Sequence, residues 1–315
     1  MPRSRYANVP SEKKMKLPLV SVVIPTYNHA PLLRNAINSV LNQTFTDWEA
    51  IVINNYSEDN TIEIVSSFND PRIRLVNFHN HGIIAASRNR GIELSNGKFV
   101  AFLDSDDIWY SEKLERCLSF FDSGNDAVCH GEVWVEDRTV LRKVYYGPQR
   151  RTHYNSLLYD GNCLSTSAII VKKSSLSRVG GFDENPSMVT AEDYELWLKL
   201  AKSGCTFALL DEVLGEYRIH GKNQSKAVAR NLMAELAVIN KHFSEIPHRK
   251  FLARWKLKRR FALAYYGGAR SMQANGNYEG SLKLLFKSCT TFPFILRQYA
   301  AAGIGVAGYL KRIRQ

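Results

Sequence analysis

The sequence predicts an α/β fold, a mostly parallel sheet with helices on both faces, followed by an α-helical C-terminal region. Three observations carry the prediction. Short β-branched runs alternate with stretches of helical spacing through the first hundred residues. Polar clusters follow the ends of those runs, and the final ninety residues are basic and carry helical patterning instead. The 315-residue length allows a sizeable core, with 45% of residues apolar.

Leu19–Ile24 (LVSVVI) reads as a buried parallel strand closed by Pro25, and Leu32–Leu41 repeats apolar residues at helical spacing through Leu33, Ile37, Val40 and Leu41. Glu49–Ile53 is a second strand and Thr61–Phe68 the helix after it. Ile73–Val76 is a third strand, Ile83–Leu94 a helix, and Phe99–Leu103 a fourth strand running into carboxylates. The βαβα order implies ligand binding beyond the carboxyl ends of the strands. The polar clusters fall there: Thr26–Tyr27–Asn28, Asn54–Asn55, and Asp104–Ser105–Asp106–Asp107.

Charge divides the chain in three. Residues 1–18 carry +4, 19–225 carry −6 and 226–315 carry +14. The expected organisation is accordingly a basic flexible N-terminus (1–18), a catalytic domain (19–225) and a basic helical extension (226–315). The five cysteines, Cys117, Cys129, Cys163, Cys205 and Cys289, are widely spaced with no C-x-x-C pair, so neither a disulfide framework nor a zinc knuckle is indicated. The start of the chain has no apolar core of a secretory signal. A cytoplasmic, reducing setting is expected.

LDSDD packs Asp104, Asp106 and Asp107 behind an apolar strand, where the carboxylates repel unless a cation or hydrogen bonds compensate. Mg²⁺ or a similar hard ion takes carboxylate oxygens and completes its shell with water and substrate phosphate. A turn or helix cap explains the same aspartates without any ion.

Taken in order, VSVVIPTYNH (20–29), EAIVINNYSEDNT (49–61), ASRNRGIE (86–93), FVAFLDSDD (99–107), GGFDE (180–184), AEDYELWLKL (191–200) and YRIH (217–220) resemble the inverting family-two glycosyltransferases of the GT-A fold, of the bacterial surface-glycan type. The resemblance implies a nucleotide-sugar donor, UDP- or dTDP-linked, and transfer to an acceptor hydroxyl, with a lipid-linked or surface glycan precursor as acceptor. It implies that Thr26 and Tyr27 line the nucleotide pocket, with Asp59 and Arg88 as further polar residues there. Asp104 lies near the ribose or metal, Asp106 ligates Mn²⁺ or Mg²⁺, and His220 is the second metal ligand. Asp193 is the catalytic base, Glu192 the first alternative to it on the acceptor side. Trp197, one helical turn beyond Asp193, either offers a face to the acceptor sugar or belongs to the core.

The sequence departs from the family at the second strand. Two aspartates usually end it, the second accepting the uracil imide N–H; here they are Asn54 and Asn55, followed by Tyr56 where glycine is usual. An amide oxygen accepts that bond without charge assistance, and its NH₂ can donate to a carbonyl. The donor base is left open. One displacement at the anomeric carbon, with Asp193 taking the acceptor proton, implies inversion.

In the tail, 228–246 and 250–266 read as helices, and RKFLARWKLKRR (249–260) interleaves seven basic residues with Phe251, Leu252, Trp255 and Leu257. That pattern suits a membrane-surface helix on an anionic membrane. Residues 276–293 look like half of a tetratricopeptide unit, and the uncharged Tyr299–Leu310 run is too short to span a bilayer. The expected location is the inner face of the cell membrane, held peripherally. No nucleic acid partner is expected, and the tail can instead pack on the catalytic domain or form a homodimer. The rival readings are a GT-A-like binding module whose basic tail holds nucleic acid or an anionic surface, and a nucleotidyltransferase, which opens on a glycine-rich loop where this chain has Pro25–Thr26–Tyr27–Asn28.

Overall fold

The computed structural model describes residues 17–220, 227–246 and 251–313. Most of the basic N-terminal segment, together with Arg249 and Lys250, lies outside the described residues. Strand β1 (Val20–Thr26), helix α1 (Ala30–Leu41), β2 (Trp48–Asn54), α2 (Thr61–Ser66), β3 (Ile73–Asn77), α3 (Ile84–Leu94) and β4 (Phe99–Phe102) form the expected alternation. Next come β5 (Ile108–Trp109), α4 (Lys113–Leu118), β6 (Ala127–Glu136), β7 (Thr139–Val144), α5 (Tyr154–Asp160) and β8 (Ile169–Lys172). Helices α6 (Lys173–Arg178) and α7 (Glu192–Lys202) and the long β9 (Phe207–Ile219) complete the α/β body. Helices α8 (Val228–Ser244), α9 (Phe251–Ala274), α10 (Tyr278–Thr291) and α11 (Leu296–Ile313) form the C-terminal region.

The strands make one sheet in the order β3-β2-β1-β4-β8-β6-β9-β5, with β7 paired to β6. The half built from β3, β2, β1 and β4 is parallel throughout. The other half is mixed, because β8 runs antiparallel to both β4 and β6 while β6 and β9 are parallel. The mostly parallel expectation therefore holds for the first half only. Connections leave β1 toward β2 on one side and, later, β4 on the other, which opens a crevice at the carboxyl ends of β1 and β4.

The strand pleat sorts the core into two layers. Val22, Ile24, Ala101 and Leu103 pack with Leu33, Ile37 and Val40 of α1 and Leu114 of α4. Val23, Val100 and Phe102 face the opposite way, toward α7 and α8. A Cβ on Gly91 would lie 2.2 Å from Val23 Cγ1, so only glycine lets α3 lie this close to β1.

The C-terminal helices dock on the body. Leu232, Val238 and Ile239 of α8 and Ala264 of α9 belong to the same core cluster as Leu196 and Trp197 of α7. Lys241 joins Asp183 at 2.6 Å and also bonds Glu195. Helix α9 runs past its expected end through Gly267–Gly268, where the missing side chain of Gly268 admits Leu232 and Leu284. Arg260, counted from sequence among the cations open to an anionic surface, is buried and bonded to Glu235. Arg259 pairs with Asp160 at 3.1 Å. Amphipathic spacing alone does not reveal that part of the basic stripe faces the body. Among the described residues no helix is long and apolar enough to cross a membrane.

Candidate active site

A cleft of about 610 Å³ opens at the carboxyl ends of β1 and β4 and is closed by the β6–β9 half of the sheet and the start of α7. Thr26, Tyr27, Asn55, Arg88, Asp104, Asp106, Glu192 and Asp193, all expected from sequence, line it. Thr26 is buried and its Oγ1 has no hydrogen-bond partner among the described residues, whereas Tyr27 is half exposed.

The two asparagines after β2 have different surroundings. Asn54 is fully buried, donating to Asn77 Oδ1 at 2.8 Å and accepting from the Ser57 backbone and hydroxyl. Asn55 turns into the cleft, and the Asn80 backbone N–H donates to its Oδ1 at 3.0 Å. Tyr56 follows at φ +52°, a backbone region that favours glycine. Asp59, expected beside the nucleotide, is not among the residues that line the cleft. One of its oxygens accepts from the Ala30 N–H at the start of α1 (2.9 Å) and the other from Thr61. Its work is to hold α1 against α2.

The carboxylates after β4 divide the same way. Asp107 is buried and accepts from Ser167 Oγ at 2.6 Å and from the Arg218 backbone at 2.9 Å, fixing β8 and β9 beneath the site. Asp107 lies at the cleft floor, whereas Asp104 and Asp106 keep side-chain surface open to the cleft, 29% and 15%. Burial and the adjacent Asp104 charge raise the proton affinity of Asp106, against the opposing bond from His220. His220 Nε2 lies 2.8 Å from Asp106 Oδ2. Two ligands at right angles on a cation of Mn²⁺ or Mg²⁺ size stand about 3 Å apart, so this spacing fits a shared ion. The carboxylate oxygen is a donor of the right kind for either ion, and a neutral imidazole is a general metal ligand. Among the described residues no three His, Cys, Asp or Glu side chains converge as a ready-made ion cage. An ion here has to complete its shell with water or substrate phosphate. His29, which the sequence reading passed over, sits beside this pair, with Nδ1 3.0 Å from Ser105 Oγ and its ring edge-on to His220.

Arg88 spans the site. Its Nη2 meets Asp104 Oδ1 at 2.7 Å and its Nη1 meets Glu192 Oε1 at 2.6 Å, so one buried guanidinium ties the end of β4 to the start of α7. Its Nε has no partner among the described residues. Glu192 also accepts from the Thr190 N–H at 2.7 Å, and Thr190 sits at φ +88°, an unusual conformation for a β-branched residue. Asp193 is thereby aimed into the cleft. Its carboxylate accepts from the Tyr194 N–H at 2.6 Å and from Thr166 Oγ1 at 3.3 Å. Burial first, and then the Glu192 charge, push its pKa up to about 7 despite the nearby Arg88.

Trp197 is not on the acceptor side. It has no exposed surface and lies in the core among Leu196, Leu198 and Leu200. Four residues on, it shares a face of α7 with Asp193 but lies about 6 Å further along the helix, inside the core rather than at the cleft. The opposite wall is instead made by Trp134, Tyr146, Leu164 and Tyr217, with Tyr146 donating to the buried Glu132. Sequence reasoning missed Trp134, Tyr146 and Leu164 because β6, β7 and the 161–168 segment carry no motif, and Tyr217, though inside YRIH, was given no role; the aromatic residues of VWVEDRTVLRKVYY were the available signal.

The fold and this cleft define a GT-A-type transferase body. Residues 21–180 match the model of glycosyl transferase family 2, and the chain belongs to that family. It is 32% identical over 219 residues to WfgD of Escherichia coli, named as a UDP-Glc:α-D-GlcNAc-diphosphoundecaprenol β-1,3-glucosyltransferase, covering 69% of this chain and 82% of the relative. In fold it is similar to S. aureus TarS 1–349, solved with UDP-GlcNAc: the TM-score is 0.64 at 19% identity, over 92% of this chain and 87% of that one. It also resembles the mannosyltransferase PcManGT of Pyrobaculum calidifontis, solved with GDP-Man and Mn²⁺, with a TM-score of 0.58 at 17% identity over 95% and 88%.

Proposed function

We propose that this glycosyltransferase moves a sugar from a nucleoside diphosphate sugar, UDP- or dTDP-linked, to a hydroxyl of a lipid-linked surface-glycan precursor, inverting the anomeric centre. The observation that carries the reading is the Arg88 bridge. It sets the Asp104–Asp106 end of the cleft and Asp193 in one rigid frame, so that a leaving diphosphate and an attacking hydroxyl are held on opposite sides of one sugar. Asp106 and His220 would hold Mn²⁺ or Mg²⁺, which supplies Lewis-acid neutralisation of the departing diphosphate. Asp193 Oδ2 accepts the hydroxyl proton as oxygen attacks; a base with pKa about 7 is half ionised at neutral pH and still binds a proton firmly. Glu192 holds Arg88 and the Thr190 turn rather than the proton, since it is bound to the guanidinium at 2.6 Å, whereas Asp193 Oδ2 has only a long 3.3 Å contact with Thr166 Oγ1. The lipid-linked acceptor rests on the name of the WfgD relative.

The test is transfer assayed with the purified protein, a panel of nucleotide sugars, Mn²⁺ and a polyprenyl-diphosphate sugar acceptor. β-Linked product from an α-linked donor, lost in EDTA and restored by Mn²⁺, is expected. Retained configuration, or full activity in EDTA, overturns the corresponding half of the reading.

The acceptor's lipid accounts for the tail. Phe251, Leu252, Phe294 and Leu296 are strongly exposed, and Trp255 and Phe294 both pack on Phe292, gathering part of this apolar surface in one place. Arg254 and Lys258 are exposed on the same helix as Trp255. Peripheral docking of this face on an anionic membrane is part of the proposal.

A further inference from the structure

We propose that Arg142, stacked on Trp134 at the rim of the cleft, holds a phosphate carried by the acceptor, so that the protein takes a phosphorylated sugar in preference to the same sugar uncharged; this rests on the acceptor reading above. Two observations point there. A row of side chains crosses three strands on the cleft face, and the guanidinium in that row has N–H groups that the protein leaves unused.

The row follows from strand register. Trp134 of β6 stands opposite Arg142 of β7 and opposite Tyr217 of β9. Cross-strand partners share a face of the sheet, and Trp134 and Tyr217 line the cleft, so Arg142 belongs to the cleft face as well. The contacts agree with the register. The Arg142 guanidinium carbon lies 4.1 Å from the centroid of the Trp134 ring, and the Tyr217 ring lies 5.2 Å from it at a tilt of 40°. Arg142 itself is exposed and stands just outside the cleft lining. Lys143, the next residue of β7, stands opposite Val133 on the other pleat.

The members of the row differ in chemistry. Trp134 and Tyr217 offer apolar ring surface suited to the C–H groups of a sugar. Tyr146, on the same wall, spends its hydroxyl on the buried Glu132 and so adds ring surface too. Arg142 brings the charge. Among the described residues no carboxylate pairs with it, whereas Arg88, Arg116 and Arg218 each have one. Stacking on the indole occupies the flat face of the guanidinium and leaves its N–H edge for a ligand, and that edge matches two oxygens of a phosphate.

Position assigns this phosphate to the acceptor rather than the donor. The Asp106–His220 pair marks the donor's diphosphate, at the end of β9. Arg142 stands two strands away from β9, about 10 Å across the sheet. Asp193 and the aromatic wall face each other across the cleft. A sugar with one hydroxyl at Asp193 therefore turns its opposite end, and a phosphate on that end, toward the row.

Isothermal titration of the full chain, with UDP and Mn²⁺ saturating the donor end, tests this with two soluble probes. One is GlcNAc, the sugar in the name of the WfgD relative's acceptor, joined through a diphosphate to a short alkyl chain; the other is the uncharged short-chain alkyl glycoside of GlcNAc. Neither needs a bilayer, so an anionic headgroup contributes nothing. Wild type is expected to bind the diphosphate probe at least about tenfold more tightly, and Arg142→Gln to bring the two dissociation constants within about threefold. Lys143→Gln removes the same charge from the opposite pleat and should keep the tenfold ratio. Thermal melting confirms that Arg142→Gln folds; should it not, Arg142→Lys takes its place, and a ratio unchanged by loss of the paired N–H groups overturns the inference. A wild-type ratio below tenfold, a ratio above threefold in folded Arg142→Gln, or an equal loss in Lys143→Gln overturns it too and leaves the acceptor reading standing. Failure of wild type to bind either probe overturns the acceptor reading and the inference together.

Discussion

Asp193 owes its proton affinity to its neighbours rather than to its own chemistry. Burial and Glu192 raise its pKa and Arg88 holds the rise in check, which leaves it at about 7. The base works ionised, so kcat/KM should climb with pH and level off above about 7, a limb that a pH–rate profile records. Asp193→Asn keeps the hydrogen bond from the Tyr194 N–H and loses the proton acceptor. It should bind the donor nucleotide normally, lose on the order of 10²–10⁴ in kcat, and abolish that limb. Arg88→Ala leaves two carboxylates without their shared cation, a loss of about 3–5 kcal/mol in urea unfolding. At this scale the sequence was legible where side-chain chemistry is unambiguous: the YNH, DSDD and ED segments all reach the cleft. It was not legible where one residue type has two uses. Of Asn54 and Asn55 only the second faces the cleft, and Asp59 differs from Asp106 only in what donates to it.

Elements were readable where burial on both faces writes a continuous apolar run. VSVVI and FVAF have that form, and so β1 and β4 stood out with the crevice between them. The antiparallel half was not readable, because β6 carries His130 and Glu132 at fully buried positions and β7 is an exposed strand without polar–apolar alternation. Periodicity placed Trp197 one turn from Asp193 on the same face of α7 correctly, yet a shared face does not decide where along the helix the cleft ends and the core begins. Trp197→Ala should therefore act on stability, costing about 3–5 kcal/mol in denaturant unfolding, because it empties a core site. A selective rise in acceptor KM, with stability unchanged, is the result that would restore it to the acceptor side. Helix α3 offers a parallel case. Gly91→Val forces a branched side chain against Val23 and should lower stability by at least about 1–3 kcal/mol, since neither β1 nor α3 can move without opening the site.

Over the whole molecule, charge and exposed apolar surface coincide in the last ninety residues. The 226–315 segment carries +14 against −6 for residues 19–225, an electrostatic polarity that on the proposed reading would orient the molecule toward an anionic surface. The cations do not share this work equally. Arg260 spends its charge on Glu235, and Arg259 on Asp160, while Arg254 and Lys258 are exposed. Each exposed cation near an anionic bilayer contributes about 1 kcal/mol, and burial of Phe294 and Leu296 in the headgroup region adds to it. The protein is expected to sediment with anionic vesicles at low salt, to remain in solution with neutral ones, and to be released as salt is raised. Arg254→Gln with Lys258→Gln should weaken sedimentation while donor hydrolysis in solution is kept, and Phe294→Ser with Leu296→Ser should weaken it even at low salt. Arg260→Gln should behave differently, lowering the melting temperature by breaking the α8–α9 bond before it changes vesicle binding. Equal recovery of wild type and both surface variants in the supernatant, with anionic vesicles at low salt, would show that the tail serves the catalytic body alone.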